Sequence, residues 1–257
     1  MLHGVRSPVG REITLRDRID AVLLLYPDAV FCGWTAAALH SVAYCAGKPT
    51  EVWLPEHRRR RGLVIRRCVL PEEDVVDVDG VAFTTGVRTA VDLARYIPGD
   101  DAVAAVDQCL RFDEAGRAAT TVEEMRRYLD QHRNLHRSRR VAAVLGAADG
   151  RAESPPETHT RLALHRAGLT VFEPQVAIDR GRFRVDLGAE EYRVAVEYDG
   201  AHHRDPEQHR LDVERWNTLR HDYGWDIVLA TASSLGGGRD ALIRRARAAL
   251  RDRGWSG

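Results

Sequence analysis

Apolar positions along the chain follow two kinds of repeat. Near the start, LRDRIDAVLLLY spaces them three and four apart, as one face of a helix requires, and Pro27 ends the run. GWTAAALHSVAY continues the helical spacing. Strand-like segments follow in EVWLP, LVIRRCVL and VVDVDGVAFTT, and Asp79-Gly80 predicts a tight hairpin turn in the last. Helical spacing resumes in VRTAVDLARY, DDAVAAVDQCLRF and TVEEMRRYLDQH. This half is expected to be an α+β N-terminal domain in which small helices flank an antiparallel sheet.

The stretch GAADGRAESPPE, residues 146 to 157, breaks the pattern with small residues, glycine and proline, and predicts a boundary. Domains over 1–148 and 149–257 are expected. The second opens on a marked helix: Ser154 as N-cap, Pro155 in the first turn, Glu157 three residues past the cap, and Gly168 at the end. Strand patterns VFEPQVAI, FRVDLGA and YRVAVEYDG come next, the last two as a hairpin. The helix DPEQHRLDVERWNTLRHDY, the strand GWDIVLAT and the helix RDALIRRARAALRDR complete the order α-β-β-β-α-β-α. That order predicts an α/β mixed sheet flanked by helices.

Composition narrows the class. The chain has 257 residues, 44% of them hydrophobic and 30% charged, which suits a globular protein of two domains. No apolar run approaches 18 residues, so no membrane span is expected, and the polar N-terminus lacks the apolar core of a secretory signal. Cys32, Cys45, Cys68 and Cys109 form no CxxC pair and are expected to be reduced, mostly buried thiols of a cytoplasmic protein. The 38 basic and 38 acidic residues cancel, so any nucleic-acid surface must be a local patch. Lys48 is the only lysine.

The chemistry gathers in RVDLGAEEYRVAVEYDGAHH, residues 184 to 203. Strand parity turns Val194, Val196 and Tyr198 to one face and Ala195, Glu197 and Asp199 to the other. In the preceding strand Phe183, Val185 and Leu187 take the apolar face and Asp186 the polar one. A turn near Glu190 and Glu191 brings Asp186 opposite Glu197, at a Cβ separation of about 5 Å. Carboxylates that close repel unless a proton or a cation lies between them. Hard oxygen donors so placed suit Mg²⁺. The other reading is a solvated sheet edge dressed with acids. His202 and His203 are either a surface loop or a source of a proton-transfer group. Glu157 either closes a capping box on the Ser154 backbone N–H or points into the same site.

The pieces ESPPET (153–158), RVDL (184–187), VEYDGAHH (196–203) and DVERWNTLRHDYGW (212–225) together resemble the very-short-patch-repair-like branch of the PD-(D/E)xK endonuclease superfamily. They more closely resemble a family of uncharacterised actinobacterial proteins that carry such a domain. The resemblance covers roughly residues 150–235. It implies a restriction-endonuclease-like fold and a Mg²⁺- or Mn²⁺-dependent phosphodiesterase site. Asp186 would be the principal ligand, Glu197 or Asp199 the second, Glu157 a helix-borne accessory, and His203 the proton-transfer or phosphate-contacting group. In that mechanism the metal activates water and offsets charge on the phosphate. The superfamily's lysine position holds Asp199, with Arg184 or His203 as substitutes, although arginine cannot act as a base.

GWTAAALH, EVWLPEHRRRRGLVIRR and DGVAFTTGVRTAVDLARY resemble the AbiEi-type antitoxin region, which implies a DNA- or partner-binding module. HRRRRG, with Arg58, Arg59, Arg60 and Arg61, falls where a hairpin tip would clamp phosphates or simply be a solvated turn; Arg184 and His202 are further candidates for DNA contact. Trp34, Trp53, Trp216 and Trp225 lie in apolar patterns and are expected in cores. The leading expectation is a metal-dependent DNA endonuclease of repair or phage defence. The alternatives are a non-catalytic antitoxin-like DNA-binding regulator with a degenerate nuclease fold, and a protein-binding adaptor.

Overall fold

The computed structural model describes residues 10, 12–55, 60–200 and 206–257, and of residues 206–209 the backbone alone. It divides into two compact units, residues 1–98 with 108–146, and residues 99–107 with 147–257.

The first unit holds the helices α1 (Leu15–Leu23), α2 (Gly33–Leu39), α3 (Gly86–Tyr96), α5 (Val122–Gln131) and all but the end of α6 (Ser138–Ala147). The last residues of α4 (Asp101–Leu110) belong to it as well. Its sheet runs in the order β3 (Leu63–Arg66), β2 (Thr50–Trp53), β1 (Val30–Phe31), β5 (Val81–Thr84), β4 (Val75–Val78). The sheet is mixed, not antiparallel as the pattern predicts: β1 pairs parallel with β5, and β2 parallel with β3. The two-residue β1 is too short to leave a periodic signal. Asp79-Gly80 does form the β4–β5 hairpin turn, both with positive φ, as a tight primed turn requires. Phe31, Val52, Val81 and Phe83 pack under Ile19 and Val22 of α1 and Ala36 of α2.

Charge is buried in this unit, and it is paired. Arg88 of α3 lies 2.5 Å from Asp74 and 2.9 Å from Asp92, and it donates to the Cys68 sulfur and the Val69 carbonyl at 3.1 Å each. Arg95 takes the other Asp92 oxygen at 2.7 Å, and the Tyr128 hydroxyl donates to Asp74 at 2.7 Å. Two guanidiniums meet two carboxylates, and burial opposes the Arg88 charge less than Asp92, Tyr128 and Asp74 support it, so its pKa rises. Nearby, the buried Glu51 carboxylate pairs with Arg66 at 2.7 Å. Gly33 lies under it with φ +52, and a Cβ there would collide with that carboxylate.

The second unit carries a four-stranded sheet in the order β6 (Glu173–Ile178), β7 (Phe183–Ala189), β8 (Val194–Asp199), β9 (Asp226–Thr231). β6, β7 and β8 are antiparallel neighbours; β9 joins β8 in parallel after the crossover helix α8 (Pro206–His221). On one face Leu187, Val194, Val196, Val228 and Ala230 pack against Leu164 of α7 (Pro155–Arg166) and Leu242 and Leu250 of α10 (Arg239–Asp252). On the other, Val185, Ala195 and Ile227 pack against Trp216 and Leu219 of α8 and against Trp225. The short α9 (Ala232–Leu235) precedes α10. On α10, Arg245 and Arg247 donate to the Leu229 and Ala167 carbonyls. Among the described residues no helix is long and apolar enough to cross a membrane.

Candidate functional site

Three strands of the second unit place a polar row across the sheet. The β6–β7 register pairs Pro174 with Leu187 and Val176 with Val185, which sets Gln175 opposite Asp186. The β7–β8 ladder runs from Ala189↔Val194 to Leu187↔Val196, and its next step sets Asp186 opposite Glu197. There the backbone ladder stops, and the Asp186 carboxylate accepts the Tyr198 N–H at 2.8 Å. Gln175 has a left-handed φ of +55, a conformation a non-glycine residue adopts only under constraint.

This break corrects the parity expected of β7. Val185 and Phe183 pack with Ala195 and Trp216, while Leu187 packs with Val194 and Val196 on the opposite face. The flanking pairs of β6 and β7 keep one register, so both strands turn over together at Gln175 and Asp186. A side chain that takes over a ladder hydrogen bond frees the strand to change face.

Glu157 reaches the row from the first turn of α7. Ser154 is the N-cap, as expected, and its hydroxyl donates to Glu157 Oε1 at 2.8 Å. The reciprocal bond differs from a capping box, because the backbone N–H that reaches Glu157 Oε2 is that of Glu153, not Ser154. Gln175 donates to the same oxygen at 2.8 Å, which ties the helix end to the strand break.

Arg215 of α8 is the cation of the site. It donates to Glu197 Oε2 at 2.7 Å and to the Arg184 carbonyl at 3.0 Å, while its neighbour Trp216 is buried and anchors the helix. Glu157 and Glu197 are buried, at 6% and 3% exposure; among the described residues Arg215 pairs with Glu197, while Glu157 is held by the neutral donors of Glu153, Ser154 and Gln175. Burial raises the Glu157 pKa. Burial, then the charges of Glu197 and Glu157, push Asp186 up to about 8, against the pull of the Tyr198 N–H and Arg215. Burial and its acidic neighbours thus favour the protonated form of Asp186 well above the usual carboxylate range. Among the described residues, no three acidic, histidine or cysteine side chains form a metal-ligand set. The implied metal does not fit the carboxylates as they are arranged: Glu157 is spent on its helix cap and Gln175, and Glu197 on Arg215.

The other candidates disperse. Asp199 ends β8 opposite Thr231 of β9 and is half-buried. Arg184 is exposed and paired with Glu153 at 2.5 Å. His202, His203, Arg58 and Arg59 lie outside the described residues. Because β2 and β3 are parallel, the connection between them is not a hairpin. Within it Arg60 lies over the Tyr26 ring and Arg61 is exposed.

Residues 29–147 match the family model described as the AbiEi antitoxin C-terminal domain. The uncharacterized proteins Rv2248 of Mycobacterium tuberculosis H37Rv and MT2308 of Mycobacterium tuberculosis CDC 1551 are each 31% identical to this chain over 237 residues. The alignment spans 88% of this chain and 82% of theirs. The chain belongs to the family of these mycobacterial proteins. No solved structure matches it. The first unit is thus antitoxin-like by sequence, whereas the polar row of the second unit lies outside the matched domain.

Two residues of the row escaped the sequence reading. Gln175 sits in an ordinary apolar strand pattern, and nothing in VFEPQVAI marks its positive φ. Arg215 had one signal: it directly precedes Trp216, so a helix that buries Trp216 on the sheet turns Arg215 toward the strand ends.

Proposed function

We propose that this protein is an antitoxin-like regulator that binds DNA or a partner protein through its first unit without cutting DNA. The match of residues 29–147 to the AbiEi antitoxin C-terminal domain carries this reading. The second unit supports it from the other side, because Arg215 engages Glu197 where a hydrolytic site needs an open ligand. The superfamily's lysine position holds Asp199, and the only lysine of the chain is Lys48.

A second reading, a Mg²⁺- or Mn²⁺-dependent endonuclease, draws on two observations. The α7-β6-β7-β8-α8-β9 order and the approach of Glu157, Asp186 and Glu197 agree with a restriction-endonuclease-like frame. One experiment separates the two. The full chain is incubated with plasmid, mismatched duplex and single-stranded DNA, with Mg²⁺ or Mn²⁺, beside Asp186→Ala. The regulator reading expects no cleavage and a DNA mobility shift that weakens with salt, or partner binding in its place. Metal-dependent cleavage that disappears in Asp186→Ala would overturn it in favour of the nuclease.

A further inference from the structure

The first unit contains a cavity of about 790 Å³ that neither reading uses. Its floor is the charge network already described: Arg88 and Arg95, spent on Asp74 and Asp92, with Tyr128 beside them. Its rim is different. Arg67, just past β3, and Arg133, just past α5, both line it and are exposed. Among the described residues neither guanidinium has a carboxylate partner, and the one acid in the lining is Asp130. The rim therefore carries an excess of guanidinium, whose planar fork matches phosphate oxygens two at a time.

The cavity also offers a ring surface. His132 stacks on Tyr128 with centroids 4.0 Å apart and planes 16° apart. Tyr128 is buried and His132 half-buried, so His132 is the outer ring of the stack. Its Nδ1 lies 2.8 Å from the Tyr128 carbonyl, which fixes the plane of the imidazole. A planar ligand ring can extend such a stack in an offset arrangement. The volume falls within the roughly 300–1,000 Å³ usual for small-molecule sites. Unpaired guanidiniums, a fixed ring and that volume describe a ligand that is anionic at one end and aromatic at the other.

We propose that this cavity binds a free nucleotide, its phosphates between Arg67 and Arg133 and its base against His132. Binding there ties the end of β3 to the end of α5, and so gives the antitoxin-like unit a small-molecule effector site.

The test is calorimetric titration of the full chain with each of ATP, GTP, CTP and UTP, and with inorganic triphosphate, at low salt and without divalent metal. At least one nucleotide is expected to bind once per chain. Arg67→Ala and Arg133→Ala should each weaken it on the order of tenfold, as loss of a charged hydrogen-bond partner predicts. His132→Ala should weaken the nucleotide and leave triphosphate unchanged, and Arg139→Ala, an exposed arginine outside the cavity, should change neither. Unchanged melting of the rim variants excludes unfolding as the cause. The proposal falls if no nucleotide binds at millimolar concentration, if triphosphate binds as tightly as every nucleotide, or if Arg139→Ala weakens binding as much as the rim variants. It falls as well if a short single-stranded oligonucleotide binds the rim more tightly than any nucleotide, which would assign the site to nucleic acid.

Discussion

Each unit buries a cluster of charge, and the two clusters are built on opposite principles. In the first, Arg88 and Arg95 face Asp74 and Asp92, every charge has an opposite partner, and the Tyr128 hydroxyl takes up a remaining lone pair. In the second, among the described residues, Arg215 is the guanidinium that meets Glu197 and draws on Asp186, Glu157 is held by neutral donors, and the raised pKa of Asp186 favours a proton that makes up part of the deficit. A balanced buried network is closed: it fixes how α3, α5 and the segment before β4 sit, and it has nothing left to offer a ligand. An unbalanced one is open, because a proton, a cation or a donor group lowers its energy. Burial alone does not distinguish framework from site; the count of charges does.

The balanced cluster should be the costlier to break. Arg88→Ala leaves two carboxylates buried with one fewer cation, and the loss of a buried partner costs about 3–5 kcal/mol. Chemical denaturation of the variant is expected to show the first unit destabilised by that amount or unfolded. A loss under about 1 kcal/mol would mean the network does not hold the unit together.

The unbalanced cluster should respond with the opposite sign. Folding lifts Asp186 from 3.8 to about 8, so between those values the folded chain keeps a proton that the unfolded chain releases. Stability from this group is therefore full below pH 4 and falls as pH rises through that window. Asp186→Asn carries no charge at any pH and removes the slope. It should be more stable than wild type by about 2–4 kcal/mol near pH 8, with the margin closing toward pH 4. Melting curves of both proteins across that range check this, and parallel pH dependences would refute the charge deficit.

How much of this was legible beforehand differs between the same two regions. The α-β-β-β-α-β-α order of the second unit, the Ser154 cap and the Asp79-Gly80 turn were readable, because period, caps and primed turns are local properties. Pairing was not. The parallel β1–β5 and β2–β3 contacts join segments whose own patterns do not encode direction. Parity gave the right faces along β8 and failed in β7, because parity assumes an unbroken ladder and Asp186 breaks it. The approach of Asp186 to Glu197 was foreseen, since it follows from the turn at Glu190 to Tyr192. The arginine that answers them was not, because its place before Trp216 gives a helix face and not the strand residue that it meets.

That arginine supplies the smallest but most discriminating test. Arg215 is about a third exposed and contacts Glu197 at 2.7 Å, so solvent already screens part of the interaction. Arg215→Ala should cost about 1–2 kcal/mol, well below Arg88→Ala, and should lift Asp186 further by removing a guanidinium that holds it down. Arg215→Lys restores a charge but not the fork that spans Glu197 and the Arg184 carbonyl, so it should recover only part of the loss. The decisive measurement is thermal melting with and without Mn²⁺. If Arg215 is the counter-ion that closes the row, the metal should raise the melting temperature of Arg215→Ala more than that of wild type, and least of all that of the double variant with Asp186→Asn. Equal shifts in all three would show that the guanidinium and a cation do not compete. The contrast between a closed cluster and an open one would then have to rest on the Asp186 proton alone.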